Sequence, residues 1–374
     1  MSHPGKVGWL ELFYDLIFAA STLVIFMSMK QDFSAENQWW LSFVVLLLFS
    51  VWLMTTFALN RLRDQSTWVR SLVFAQMGAL IVTVFIAAST SSIDDNLGLF
   101  FLAIVFLTLG ALARTVARQA GTPAELQRYA GWGAFIAAII IGVNAFTPES
   151  YNLFAMGFAF VIIVIGYFLL FLPRIDRQMP IDREHLAERL AQLLLIVMGE
   201  SFLEIAIGFQ LGGKPNILGI VLVVLLLGLT WAQYFDVLWN RGTPPTARLL
   251  LLYLLGHAIA ILGIGTASLS LSSVAISKAP TSIDILYGTQ LTYSVMLTYL
   301  GFTVIALSLR PFHARVTVIL AAVTVVLLAI GLMSEVVQGV DERLMAIVVG
   351  TILLVGVILS TGAVRVDSSR ASAR

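Results

Sequence analysis

The segment at residues 186–210, LAERLAQLLLIVMGESFLEIAIGFQ, is an apolar stretch of helical length that also carries regularly spaced polar residues. An α-helix of about 20 apolar residues is long enough to cross the hydrocarbon core of a bilayer. Segments of this kind recur along the 374-residue chain, which is 59% hydrophobic and only 11% charged. A soluble globular protein is excluded, since soluble domains carry about 25% charged residues. We therefore expect an all-α fold, a polytopic transmembrane helical bundle.

About twelve membrane spans are predicted from the apolar runs between polar breaks. None of the breaks is long enough for a soluble domain, so any activity is expected in or at the membrane. The first span does not resemble a cleavable signal peptide, because Glu11 and Asp15 interrupt its apolar core. The predicted spans begin near Trp9, Gln38, Trp68, Leu97, Gln127, Asn152, Leu186, Asn216, Arg248, Asp284, Arg315 and Leu344.

The basic residues predict the orientation of these spans. With twelve spans, eighteen of the 22 Lys and Arg residues fall on one side of the membrane. Cytoplasmic loops carry the excess of Lys and Arg, so both termini are expected in the cytoplasm. The few basic residues on the opposite side are Lys30, Lys214, Lys278 and Arg343.

The span starts also indicate an internal repeat. The last six spans follow the first six at shifts of 177 to 192 residues. Because six spans are an even number, the two halves would have the same orientation in the membrane. The predicted organisation is a six-helix repeat at 1–172, a cytoplasmic connector at 173–185, a second repeat at 186–364 and a cytoplasmic tail at 365–374. The repeat equates Glu11 with Glu188, Trp52 with Trp231, Arg70 with Arg248 and Gly78 with Gly256.

The polar residues of the quoted segment share one side of its predicted helix. Glu188, Gln192, Glu200 and Glu204 are separated by multiples of four residues, so this side is not expected to face lipid. Glu200 lies near the predicted midplane, one turn from Glu204. Two carboxylates about 5 to 6 Å apart in a low dielectric resist being ionised together, so one is expected to hold a proton. The pair suits a proton carrier or cation site; the structural alternative is a protonated Glu that hydrogen-bonds a neighbouring helix.

Asp15 is a second charge within the membrane. It lies about 9 Å into the first span, and its side chain is too short to reach the interface. It therefore needs a partner, and Arg70 and Arg61 are the nearest candidates by depth. Asp15 is either a member of a structural ion pair or part of a hydrophilic pathway. Glu11, in the first turn of the same helix, is expected to be a helix-end charge favoured by the helix dipole.

Other polar residues give weaker signals. His257, a third of the way into the ninth span, either titrates against Glu200 or, as we prefer, is a hydrogen-bonded core residue. Asp236 is expected to pair with Arg241 or Arg248 at the cytoplasmic end of the eighth span. Two glutamines, Gln76 and Gln290, either line a cavity or bridge helices. A stripe of small residues in the fifth span indicates close helix packing and comprises Ala130, Ala134, Ala138 and Gly142.

Several chemistries lack the residues they need. The chain has no Cys, and its four His residues are scattered without metal-ligand spacing. A phosphate-binding loop of the G-x-x-x-x-G-K-[ST] type is absent, and the Arg residues follow topology and do not form a nucleic-acid-binding patch. We predict no cofactor, no metal site, no catalytic residue and no nucleic acid partner.

Two motifs resemble those of the low-temperature-requirement A (LtrA) family of bacterial multi-pass membrane proteins. The run ELFYDLIF at 11–18 is similar to the family's E-L-F-F-D-L-V-F signature. The run ERLAQLLLIVMGES at 188–201 is similar to its second signature, E-R-F-G followed by an apolar stretch and L-G-E. The departures are Tyr14, Leu190, Ala191 and Met198, and the motif positions carried over are Glu11, Asp15, Glu188, Arg189, Gly199 and Glu200. The resemblance implies a plasma (inner) membrane protein but no molecular activity.

The leading functional hypothesis is a proton-coupled transporter or cation pathway for protons, monovalent cations or a small solute. Glu200 would be the main ion-contacting group, with Glu204, Asp15, His257 and Gln192 in support. One alternative is a membrane-embedded enzyme or lipid-binding protein that uses the carboxylates as general acid and base. Another is a structural membrane partner without transport activity. The sequence leaves the substrate and the oligomeric state open.

Overall fold

A computed structural model describes ten stretches of the chain. These are residues 8–29, 35–62, 66–89, 96–120, 125–147, 152–210, 213–277, 282–309, 314–336 and 341–372. The fold within them is helical almost throughout, so the predicted all-α class is confirmed.

The helices follow one another with short connections. They are α1 (Trp9–Met29), α2 (Ala35–Arg61), α3 (Thr67–Ser89), α4 (Asn96–Ala120), α5 (Glu125–Asn144), α6 (Asn152–Val161), α7 (Leu172–Gln178), α8 (Arg183–Gln210), α9 (Ile217–Ala232), α10 (Ala247–Ala275), α11 (Ser282–Ser308), α12 (Ala314–Val336) and α13 (Glu342–Ser372). A π-helix, Ile162–Phe171, joins α6 to α7, and a second π-helix, Gln233–Leu238, continues α9. Two-residue strands, β1 (Lys214–Pro215) and β2 (Ile276–Ser277), pair antiparallel.

The predicted spans coincide with these helices. Each of the twelve predicted starts lies within three residues of the start of a helix, with α6, the first π-helix and α7 taken as one span. Within the described residues, ten helices are long and apolar enough to cross a membrane, or eleven with that bent segment included. The apolar part of α5, Gly131–Asn144, is shorter than a full span. The count of twelve therefore stays a prediction.

The chain forms two compact units, Met1–Leu193 and Leu194–Arg374, and the boundary falls inside α8. We call them the N-terminal unit and the C-terminal unit. The predicted repeat boundaries and the duplication itself stay predictions.

Small residues bring α4 and α5 together in the N-terminal unit. A Cβ atom on Gly110 would lie 3.1 Å from the backbone oxygen of Gly131, and one on Gly142 would lie 3.5 Å from Cβ of Ala103. Ala134 and Ala138, between them on α5, are buried. The predicted packing role of this stripe is confirmed for these residues, whereas the side chain of Ala130 lies outside the described set.

The C-terminal unit contains a still closer helix pair, α10 and α11. A Cβ atom on Gly263 would lie 2.5 Å from the backbone nitrogen of Thr298, and one on Gly301 would lie 2.6 Å from the backbone oxygen of Gly256. Any larger residue at these glycines would separate the two backbones. Small residues allow such contact between membrane helices, where dispersion forces and not hydrophobicity drive association.

Candidate functional site

Two residues of the polar stripe of α8, Glu200 and Glu204, are buried inside the protein. The side chains of Glu200 and Glu204 are only 3% and 1% exposed, whereas Glu188 and Gln192 are half-buried. The expectation that Glu200 and Glu204 do not face lipid is confirmed. Gly199, the motif glycine beside them, is exposed and has open space where a Cβ would lie.

Glu200 is the most isolated ionisable group of this stripe. Both of its carboxylate oxygens are buried and have no hydrogen-bond partner among the residues that the structure describes. Since α8 runs from Arg183 to Gln210, Glu200 lies about 5 Å along the axis from the middle of the helix. An ionised carboxylate at this depth, without hydrogen bonds or a counter-ion, costs several kcal/mol. Such a group can bind and release a proton or contact a cation.

Other buried polar atoms of the C-terminal unit also lack hydrogen-bond partners among the described residues. They include the Ser201 hydroxyl on α8, the Tyr299 hydroxyl on α11 and both amide atoms of Gln233. Gln233 begins the second π-helix, a distortion that recurs at functional sites. None of these three residues was predicted from the sequence as a site residue. Burial of a hydroxyl cannot be read from spacing alone.

Both ring nitrogens of His257 form hydrogen bonds with neighbours in the C-terminal unit. Nδ1 donates to the backbone oxygen of Tyr253, and Nε2 lies 2.8 Å from the hydroxyl of Tyr234. Because a carbonyl can only accept, the neutral ring carries its proton on Nδ1, and Nε2 accepts from Tyr234. The preferred expectation, a hydrogen-bonded core histidine, matches this geometry. A part for His257 in an ion pathway stays a prediction.

The N-terminal unit contains a cluster of buried charges around Asp15. Arg189 on α8 forms a salt bridge with Asp15 on α1, and both side chains are fully buried. The indole nitrogen of Trp52 on α2 donates to the same carboxylate at 2.7 Å. The guanidinium carbon of Arg189 also lies 5.3 Å from the centre of the Trp52 ring. One carboxylate therefore joins three helices.

The partner predicted for Asp15 was wrong. Arg70 is exposed at the start of α3, and Nε of Arg61 donates to the backbone oxygen of Met179 at 3.1 Å. The prediction considered only basic residues of similar depth in the nearest spans. The cation that Asp15 binds lies 174 residues along the chain, beside Glu188 in the second motif.

Glu11 belongs to the same cluster. One of its oxygens accepts from the backbone N–H of Gly8 at 2.9 Å, as expected of a helix-end charge. The other lies 3.2 Å from Nε2 of His185 and 3.6 Å from Arg189, and the side chain is buried. The dipole interpretation was therefore incomplete, because Glu11 also binds α8. Glu11, Asp15, His185, Arg189 and Trp52 together are called the α1–α8 charge cluster.

A chain of hydrogen bonds that starts at Tyr14, next to Asp15 in the sequence, crosses the N-terminal unit. The Tyr14 hydroxyl donates to Oγ1 of Thr55 at 3.3 Å, and Thr55 lies 3.0 Å from Oε1 of Gln76. Nε2 of Gln76 donates to the backbone oxygen of Val105 on α4. Gln76 thus bridges α2, α3 and α4, which was one of the two predicted roles.

The remaining predicted residues lie away from these groups. Arg248 and Asp236 are exposed, and Nε of Arg241 donates to the backbone oxygen of Val237. The pairing of Asp236 with Arg241 or Arg248 stays a prediction. Among the described residues, no group of three or more His, Asp or Glu could hold a metal ion.

Comparison with known protein families identifies a family that this chain is similar to. The sequence model of the family described as bacterial low temperature requirement A protein (LtrA) matches residues 6–358, nearly the whole chain. No curated protein matches the chain.

Proposed function

Since this chain belongs to the bacterial low temperature requirement A (LtrA) family and is an integral membrane protein, we propose that it is a proton-coupled transporter or cation pathway. Glu200 is the ion-contacting group of this proposal. The observation that carries it is the buried carboxylate of Glu200, whose two oxygens have no hydrogen-bond partner among the described residues, near the middle of a long apolar helix.

The cost of burying a carboxylate distinguishes a functional role of Glu200 from a purely structural one. A carboxyl group kept only for packing could be replaced by an apolar residue without loss, because burying a carboxylate is costly. An ion pathway needs such a group, since a proton or a cation compensates the charge only while it is bound. Glu204, one turn along the same face, would hold or pass on the same ion. Gln192 would extend the stripe towards the start of α8.

Asp15 and His257 have lesser parts in the proposal. Asp15 already binds Arg189 and Trp52, so it would stabilise the helix that carries Glu200 and would not itself contact the ion. His257 would accept a proton only after the Tyr234 hydroxyl turned away from Nε2.

The proposed location is the bacterial plasma (inner) membrane with both termini in the cytoplasm, as the distribution of Lys and Arg supports. The chain has no native Cys, so single introduced cysteines can report sidedness. A membrane-impermeant maleimide should leave a Cys at position 2 or 373 unlabelled in intact cells and label it in lysed cells. Labelling in intact cells would show that the termini lie outside the cell, which contradicts the proposed orientation.

Ion flux into liposomes tests the function. Purified wild-type protein should dissipate an imposed proton or potassium gradient, and Glu200→Gln should reduce the flux to the level of empty liposomes. The matched control is Glu184→Gln, the same substitution at an exposed position on the same helix, which should keep wild-type flux. No flux by wild-type protein with a panel of cations and solutes, or full flux with Glu200→Gln, would contradict the proposal.

A further inference from the structure

The end of the N-terminal unit where α4 finishes and α5 begins carries an unusual arginine. The guanidinium carbon of Arg114 lies 4.1 Å from the centre of the Trp132 ring and 5.1 Å from that of Phe135. Arg114 makes no hydrogen bond or salt bridge with any side chain or backbone group that the structure describes. Stacking occupies the face of the guanidinium plane and leaves the N–H groups at its edge. A stacked guanidinium is therefore oriented to bind an oxyanion through two parallel hydrogen bonds.

Its depth matches that of lipid headgroups. Arg114 lies six residues before the end of α4, and Trp132 lies seven residues after the start of α5. Both are thus about 10 Å from the connection between the helices, where a Trp ring and a long Arg side chain reach the interface. Arg118, one turn closer to the helix end, is exposed and adds a second positive charge.

Apolar side chains continue inward from the arginines on both helices. On α4, Leu107 lies seven residues before Arg114, on the same face, and is 43% exposed. On α5 the exposed residues recur at helical spacing and comprise Trp132, Ile136, Ile139 and Val143. Cations at the headgroup level and an exposed apolar stripe below them match both ends of a phospholipid. A free anion would contact only the cations and would leave the apolar stripe uncovered.

We propose that the surface formed by Arg114, Arg118, Trp132 and the apolar stripe of α5 is a binding site for an anionic phospholipid. The phosphate binds the edge of the Arg114 guanidinium and is also attracted by Arg118. One acyl chain lies along Ile136, Ile139 and Val143. This site is independent of Glu200 and requires no transport activity.

Native mass spectrometry of the full-length protein in detergent tests the site. Cardiolipin and phosphatidylglycerol should bind more tightly than phosphatidylethanolamine, which has no net charge. Arg114→Gln should weaken binding of the anionic lipids about tenfold, the typical value of a charge-assisted hydrogen bond. Arg118→Gln should weaken it less, about fivefold, because an exposed basic residue at the membrane surface attracts anionic lipids without a directed hydrogen bond. The control, Arg248→Gln, removes an exposed arginine from the C-terminal unit and should leave lipid binding unchanged.

Three outcomes would overturn the proposal. Arg114→Gln and Arg118→Gln could both retain wild-type affinity for the anionic lipids. Phosphatidylethanolamine could bind as tightly as phosphatidylglycerol. Excess inorganic phosphate could displace the lipids completely, which would indicate a site for a small anion. Arg118 is exposed, so its variant keeps the test valid even if Arg114→Gln folds poorly.

Discussion

Two regions of α8, eleven residues apart, differ in whether a buried charge has compensating partners. At Arg189 a buried cation faces two carboxylates, and a Trp N–H completes the arrangement. At Glu200 a buried carboxylate has no hydrogen-bond partner among the described residues. The first region is an ion pair whose partners compensate one another, although such pairs rarely add net stability over apolar packing. The second has no compensating hydrogen bond among the described residues, and for that reason it is the better candidate for contact with a mobile ion.

The largest effect is expected when the cation of the charge cluster is removed. Arg189→Met leaves Glu11 and Asp15 buried with no guanidinium, and the free energy of unfolding should fall by about 3–5 kcal/mol. Denaturant unfolding of the protein in detergent measures this change. The matched control, Arg70→Met at an exposed position, should change stability by less than about 0.5 kcal/mol.

Adding Asp15→Asn to Arg189→Met should restore part of the lost stability, since it removes a charge that has no partner. If the double variant were less stable than Arg189→Met, or if Arg189→Met were as stable as wild type, the cluster would not be held by charge compensation.

A smaller loss is expected for the neutral member of the cluster. Trp52→Phe removes the N–H that donates to Asp15 and the wide ring beside Arg189, and should cost about 2 kcal/mol. The same unfolding measurement applies, with Trp68→Phe at an exposed position as the control. Equal stability of the two variants would show that the N–H of Trp52 contributes nothing measurable to the cluster.

At the edge of the cluster the effect should be smaller again. His185→Ala removes a half-buried contact with Glu11, and the expected loss is about 0.5–1 kcal/mol. Its exposed neighbour provides the comparison, since Glu184→Ala should change the free energy of unfolding less. A loss as large as that of Arg189→Met would show that His185 contributes as much to the stability of the cluster as Arg189 does.

At Glu200, the other region of α8, the change in the free energy of unfolding is expected to have the opposite sign. Glu200→Gln should not reduce the free energy of unfolding and should raise it by up to about 1 kcal/mol, because an amide costs less to bury than a carboxylate. Combined with lost ion flux, this result would separate function from stability. A loss of 2 kcal/mol or more would instead mean that Glu200 is a structural residue, and the contrast with Arg189 would disappear.

The sequence was sufficient to predict the positions of the helices and the burial of Glu200 and Glu204. Both follow from local rules, since apolar length and four-residue spacing depend only on neighbouring residues. The partner of Asp15 could not be predicted in this way, because depth does not specify which distant helix lies alongside. The two family motifs offered a signal that was not used: Asp15 is in one, and Arg189 is in the other. The π-helix at Gln233 and the stacking of Arg114 on Trp132 depend on tertiary packing and have no local pattern.

The sequence separation in the charge cluster has a consequence for biogenesis. Asp15 leaves the ribosome 174 residues before Arg189. At about 5–20 residues per second, α1 waits roughly 10 to 35 s for its cation. During that time its aspartate has no guanidinium to bind, and a charged residue within the apolar part of a helix opposes release into lipid. Helix α1 is thus expected to complete its insertion late, when α8 arrives.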